Sequence, residues 1–169
     1  NTYYKVATAS EPVSYSFVLA SGGTNNASAG AISAFYNVNT GSVLNATGTL
    51  TVNTANTNSV TAGSITTSAT NTAVLMFWTT ATSPGALSEL ADASRNYASA
   101  GIAFANKATA GATGNGSVTL SGNVGRGAGL LVALNYAPIR YRSKTSGNWN
   151  QATTWERSTD NGSTWSDSF

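Results

Sequence analysis

Glu89 and Asp92 stand three residues apart. A pair of carboxylates is what glycoside hydrolysis uses, one as proton donor and the other as nucleophile or base. On a strand these two would point to opposite faces, and no cluster of aromatic and acidic residues surrounds them, so they read as solvated surface. Glu11 precedes Pro12 and suits a turn better than a catalytic role. Serine and threonine are abundant, but the chain has no histidine and no G-x-S-x-G elbow to activate a hydroxyl. With cysteine also absent, zinc, haem, iron–sulfur, thiolate and imidazole-base chemistry all lose their usual ligands or bases. The expectation is a protein that is not an enzyme and holds no metal or cofactor.

The glycines of ATAGATGNGS and GNVGRGAG invite a phosphate-loop reading, yet neither stretch shows strand, turn and helix in succession or a GK[ST] signature. Hairpin turns account for them better. Arg140, Arg142 and Lys144 fall on one face of a strand, as charges do on an edge strand that must resist unwanted pairing. The Thr-rich run from Asn45 to Thr72 raises ice binding, but its T-x-T units hold no fixed period. Sequons occur at Asn26, Asn45, Asn115 and Asn161, a number that chance supplies in a chain this rich in Asn and Thr.

The tail asks the sharper question. SGNWNQATTWERSTDNGSTW carries Trp149, Trp155 and Trp165, three of the four tryptophans in the chain. Exposed Trp marks a ligand platform, whereas Trp set among turn residues can be the small core of a β-repeat. Trp149 and Trp155 are expected to lie buried against a β surface, of this subunit or of the next one. Within STDNGSTW, Asp160 can accept backbone N–H groups across a turn, Gly162 supplies a permissive φ, and Trp165 is placed to pack on the hairpin.

The elements that must position these residues are strands. Runs with period-two alternation are separated by Gly, Asn and Ser clusters: VSYSFVLA, AGAISAFYNV, VLNATGTLTVNT, SVTAGSIT, AVLMFWTT, AGIAFANKA, GSVTLSGN and GAGLLVALNYA. AVLMFWTT and GLLVALNY are apolar on both faces, as central strands are. Only LSELADASRNYA, with Leu87, Leu90 and Ala91 at helical spacing, offers a short helix as alternative. The pattern predicts an all-β chain: an antiparallel β-sandwich, jelly-roll or Ig-like, over residues 1–138, ended by Pro138. Residues 139–169 follow as a C-terminal β-extension.

Only 8% of the 169 residues are charged, against about 25% in ordinary domains. Solubility rests on Ser, Thr, Asn and Gly, a composition suited to β surfaces in an extracellular medium. A net charge of +2 is too small for a nucleic-acid partner, and no apolar run is long enough to span a membrane. NTYYKVATAS opens without an initiator Met, and STWSDSF stops just after a turn motif, so both ends read as cut.

Three resemblances follow. STDNGSTW fits S-x-D-x-G-x-T-W and resembles the Asp-box of sialidases and other secreted β-proteins, which implies a structural turn; one box and no arginine cluster leave no sialidase here. YYKVATASEPVSYSFVLA, with the runs after it to GLLVALNYAP, is similar to a β-sandwich module of large secreted and surface proteins of bacteria, over most of residues 3–138. That likeness implies further strands ahead of YYKVA. SKTSGNWNQATTWERSTDNGSTW resembles the opening of repeats in Bacteroidota exoproteins.

A sandwich short of strands exposes an apolar groove and unpaired edges that another strand must fill. The expected function is therefore an extracellular structural subunit of a bacterial filament or surface fibre. It would join other copies head to tail, by strand complementation or by docking of the C-terminal extension, with Ile139, Tyr141, Trp149, Trp155 and Trp165 as anchors. The alternative is an adhesin or carbohydrate-binding module whose tail tryptophans stack on surface glycans.

Overall fold

The structure, a computed structural model, describes residues 2–17, 29–81, 98–160 and 162–167. The Glu89 and Asp92 pair, the helical spacing over 87–97 and the sequons at Asn26 and Asn161 lie outside these residues.

The described chain is nearly all β. Its strands are β1 (Leu44–Thr47), β2 (Thr51–Asn53), β3 (Thr57–Ala62), β4 (Thr66–Thr67), β5 (Thr72–Ala81), β6 (Ala98–Lys107), β7 (Gly111–Ala112), β8 (Gly116–Val124), β9 (Arg126–Leu134), β10 (Arg140–Ser143), β11 (Trp155–Ser158) and β12 (Ser166–Asp167). The main sheet runs β1, β9, β5, β6, with β2 also paired to β9; β3 pairs β8, and β4 pairs β7. Every pairing is antiparallel. The β3–β8 pair lies over the main sheet as a second layer, which makes the fold sandwich-like.

The two doubly apolar runs become the two central strands. Met76 and Leu131 point inward, where they join Ala62, Ile65 and Ala133, with Val74, Trp78 and Val118 against them. Val60, Leu120 and Val124 extend this core. Leu75, Val132 and Leu134 point the other way and are covered by Phe35, Val38, Val43 and Leu44. A strand buried on both faces has no polar alternation to show, which is why these runs read as continuous.

Close approach of the layers explains two glycines that the sequence suggests for turns. Gly127 and Gly129 lie inside β9, and only Gly125 falls at the connection from β8 to β9. A Cβ on Gly129 would sit 2.4 Å from the carbonyl oxygen of Thr61 in the opposing layer, and one on Gly127 would sit 2.7 Å from Val60 Cγ2. Gly111 and Gly114 do serve turn geometry, with φ of +130° and +76°.

Two expected strands do not form among the described residues. Residues 13–17 form no strand, and neither do 29–38 apart from a single bridge between Val38 and Tyr136. Their alternation would suit a sheet face, but a strand also needs a neighbour to take its N–H and C=O groups. VLNATGTLTVNT is interrupted as well, because Gly48 turns its N–H to the carbonyl of Leu131 between β1 and β2.

The Thr-rich run is folded across five strands, with Thr67 and Thr72 buried, so it makes no single flat array. Two sequon asparagines serve internal roles. Asn45 donates to Asn135 Oδ1 at 2.8 Å and accepts from the Ser68 N–H at 2.9 Å, and Asn115 accepts from the Ser64 N–H at 3.0 Å. No helix among the described residues is long and apolar enough to cross a membrane.

Candidate functional site

The tail builds its own small antiparallel sheet in the order β10, β11, β12. Arg142 lies opposite Glu156, and Ser143 opposite Trp155. Because side chains alternate along a strand, Tyr141 and Trp155 share one face while Arg140, Arg142 and Glu156 share the other.

On the charged face, Arg142 Nε donates to Glu156 Oε2 at 2.9 Å, and its guanidinium lies 4.3 Å from the centre of the Trp165 ring. Lys144 pairs with Asp167. Two of the three cations of the basic stripe, Arg142 and Lys144, are therefore matched by acids across their own sheet, while Arg140 lies opposite Ser158. β10 stands at the edge of that sheet, in the position where charge discourages further pairing.

The turn from β11 to β12 is held by Asp160, which is 6% exposed. Its Oδ1 accepts from the Ser158 hydroxyl at 2.6 Å and from the Thr164 N–H at 2.8 Å, while Oδ2 accepts from the Thr164 hydroxyl at 2.6 Å. Those donors, Ser158 first, stabilise the anion and hold its carboxyl well below the usual carboxylate range. The Ser158 hydroxyl oxygen accepts from the Gly162 N–H at 2.7 Å, and Gly162 has φ of +95°, a region that disfavours a side chain. The hydrogen bonds of Ser158, Asp160 and Thr164 thus serve the turn itself.

The aromatic face carries a cleft of about 350 Å³ lined by Tyr141, Trp149, Asn150, Gln151, Ala152 and Trp155. Trp149 and Trp155 meet edge to face, with ring centres 4.6 Å apart at 80°. Trp155 Nε1–H donates to the carbonyl of Trp149 at 2.9 Å, which ties the loop to β11. The loop is braced further by the Gln151 N–H to Asn148 O at 3.1 Å, the Thr154 hydroxyl to Asn148 O at 3.2 Å and the Lys144 N–H to Thr154 O at 2.7 Å. Thr154 packs so tightly that a Cβ on Gly147 would come within 2.5 Å of its hydroxyl oxygen.

The fold thus brings Tyr141, Trp149 and Trp155 together and places Trp165 on the opposite face. Ile139 lies outside the cleft. Within this chain Trp149 is 82% exposed, so no described β surface of its own subunit buries it; its loop is anchored through backbone carbonyls and leaves the indole standing clear. Sequence reasoning missed Asn150 and Gln151, whose only signal was a pair of amides beside a tryptophan.

At the other end of the chain, Glu11 is the centre of a local turn. It accepts from Lys5 Nζ at 2.7 Å, the Thr8 N–H at 2.6 Å and the Tyr15 hydroxyl. The Lys5 hydrogen bond, followed by those from Tyr15 and Thr8, lowers its carboxyl to about 2. With every oxygen committed, Glu11 shapes the SEP turn.

No family model, curated protein or solved structure matches the chain.

Proposed function

We propose that this chain is an extracellular structural subunit of a bacterial filament or surface fibre, joined to other copies by β-strand complementation. The observation that carries the reading is a donor and an acceptor with no strand partner among the described residues. Val13, Tyr15 and Phe17 alternate along a segment that forms no strand, and Phe17 is 70% exposed. β6 pairs β5 without a bulge over all ten of its residues, and its other edge has no partner among the described strands. Edge strands are usually blunted by charge, proline or a bulge. ASAGIAFANK has only a terminal Lys107, and Phe104 beside that edge is 65% exposed.

A segment added to such an edge gains main-chain hydrogen bonds along its length and buries alternate side chains. Given from one copy to the next, it makes a head-to-tail contact, which propagates as a fibre when its rotation does not close. β10 is paired with β11 along one edge, and its open edge belongs to a strand carrying Arg140 and Arg142, where charge discourages further pairing, which favours residues 13–17 over the C-terminal extension as donor. The extracellular assignment rests on the low charge and the Ser, Thr and Asn content.

Sedimentation velocity and negative-stain microscopy over a range of concentrations test the proposal. The 169-residue chain should form linear assemblies, a version ending at Pro138 should form them too, and the Ser14→Pro/Ser16→Pro variant, which removes two backbone donors, should remain monomeric. A parent chain that stays monomeric at every concentration, or a proline variant that assembles like it, overturns the reading.

A further inference from the structure

We infer that the cleft of Tyr141, Trp149 and Trp155 is a binding site for a neutral glycan. The inference is independent of the assembly reading, since it uses no residue of β6 or of the segment 13–17.

An exposed indole is costly to leave in water, and this one is held in a fixed place. Trp149 presents most of its surface to solvent while its own carbonyl is clamped by Trp155 Nε1–H. Immobilising an aromatic ring before a ligand arrives removes an ordering cost that binding would otherwise carry. The flat faces of Trp and Tyr match the C–H faces of a pyranose ring, and amides are suited to its paired hydroxyls. Asn150 and Gln151 supply such amides among the residues that line the cleft.

Charge and size narrow the occupant. None of the six lining residues is a Lys, Arg, Asp or Glu, and two cations of the tail are paired elsewhere, Arg142 with Glu156 and Lys144 with Asp167. Arg157 lies opposite Tyr141 but does not line the cleft. About 350 Å³ is at the lower end of small-molecule sites and suits a short run of sugar rings.

The test is a titration of the full 169-residue chain with neutral oligosaccharides (cello-, xylo-, manno- and chito-oligosaccharides) and a uronic-acid oligosaccharide, read by tryptophan fluorescence. At least one neutral series should give saturable quenching, with affinity that rises with chain length. Trp149→Ala, at an exposed position, should weaken binding at least about tenfold with an unchanged circular dichroism spectrum. Asn150→Ala/Gln151→Ala, which keeps every tryptophan, should weaken it in the same series. The inference is overturned if no neutral oligosaccharide quenches, if Trp149→Ala binds like the parent, or if the uronic-acid oligosaccharide is the preferred ligand. It is also overturned if Trp149→Ala alters sedimentation of the chain without altering any glycan titration, because the cleft would then be a protein contact.

Discussion

Gly129→Ala tests whether the two layers of the sandwich meet at backbone distance. The added Cβ would lie 2.4 Å from the Thr61 carbonyl oxygen, 2.8 Å from its carbon and 3.1 Å from Ala62 Cβ. Contacts of this kind relax near 3.5 Å, so β9 and β3 must part locally by about 1 Å. Overpacking a filled interior costs about 1–3 kcal/mol, and the upper end applies here because backbone faces backbone and no side chain can swing away. Alanine also restricts the unfolded chain, which returns about 0.4–1 kcal/mol. The net loss is about 2 kcal/mol, and for a chain of this size that lowers Tm by about 4–8 °C. Thermal unfolding followed by circular dichroism measures it, with Gly125→Ala as the matched control, since a Cβ there meets nothing within 4 Å. If the two variants melt together, the layers do not approach as described.

Thr72 is fully buried and its hydroxyl has no hydrogen-bond partner among the described residues. Thr72→Val, which keeps the shape and removes the stranded hydroxyl, should stabilise by about 1 kcal/mol and raise Tm by about 2–4 °C, and a fall in Tm would show the hydroxyl to be bonded. The Glu11 carboxyl, lowered to about 2 chiefly by its Lys5 hydrogen bond, contributes to the turn above the ordinary carboxylate pKa of 4.5. That contribution is lost as pH falls from about 4.5 through about 2. A ¹³C titration of the Glu11 side chain should find its midpoint near the lower value in dilute salt and higher in concentrated salt; a midpoint at the ordinary value refutes the turn.

Legibility differed between elements for physical reasons. AVLMFWTT and GLLVALNY were readable as central strands because burial on both faces removes polar residues from the run, and β5 and β9 are those strands. VSYSFVLA was equally regular, yet residues 13–17 form no strand. Alternation states which side chains belong together on a face and says nothing of which neighbour is present. Gly127 and Gly129 were misread as turn residues because a glycine needed for φ and one needed for close approach look alike in a sequence. In the tail, the roles suggested for Asp160 and Gly162 depend on contacts within a few residues, and the hydrogen bonds at the turn are of that local kind.

The sequence by itself determined what local patterning can encode: an all-β chain, its central strands, and a tail with a tight turn built on Asp160. It also set the chemistry within reach, since a chain without histidine or cysteine lacks the usual bases and soft ligands wherever it folds. Only the tertiary structure decided which strands find partners, that the Thr-rich run is dispersed, and that Tyr141, Trp149 and Trp155 line one cleft while Trp165 lies against Arg142 on the other face. Those outcomes depend on pairings between residues distant in the chain, where register and strand order choose the face each side chain takes, and no short window of sequence contains both members of such a pair.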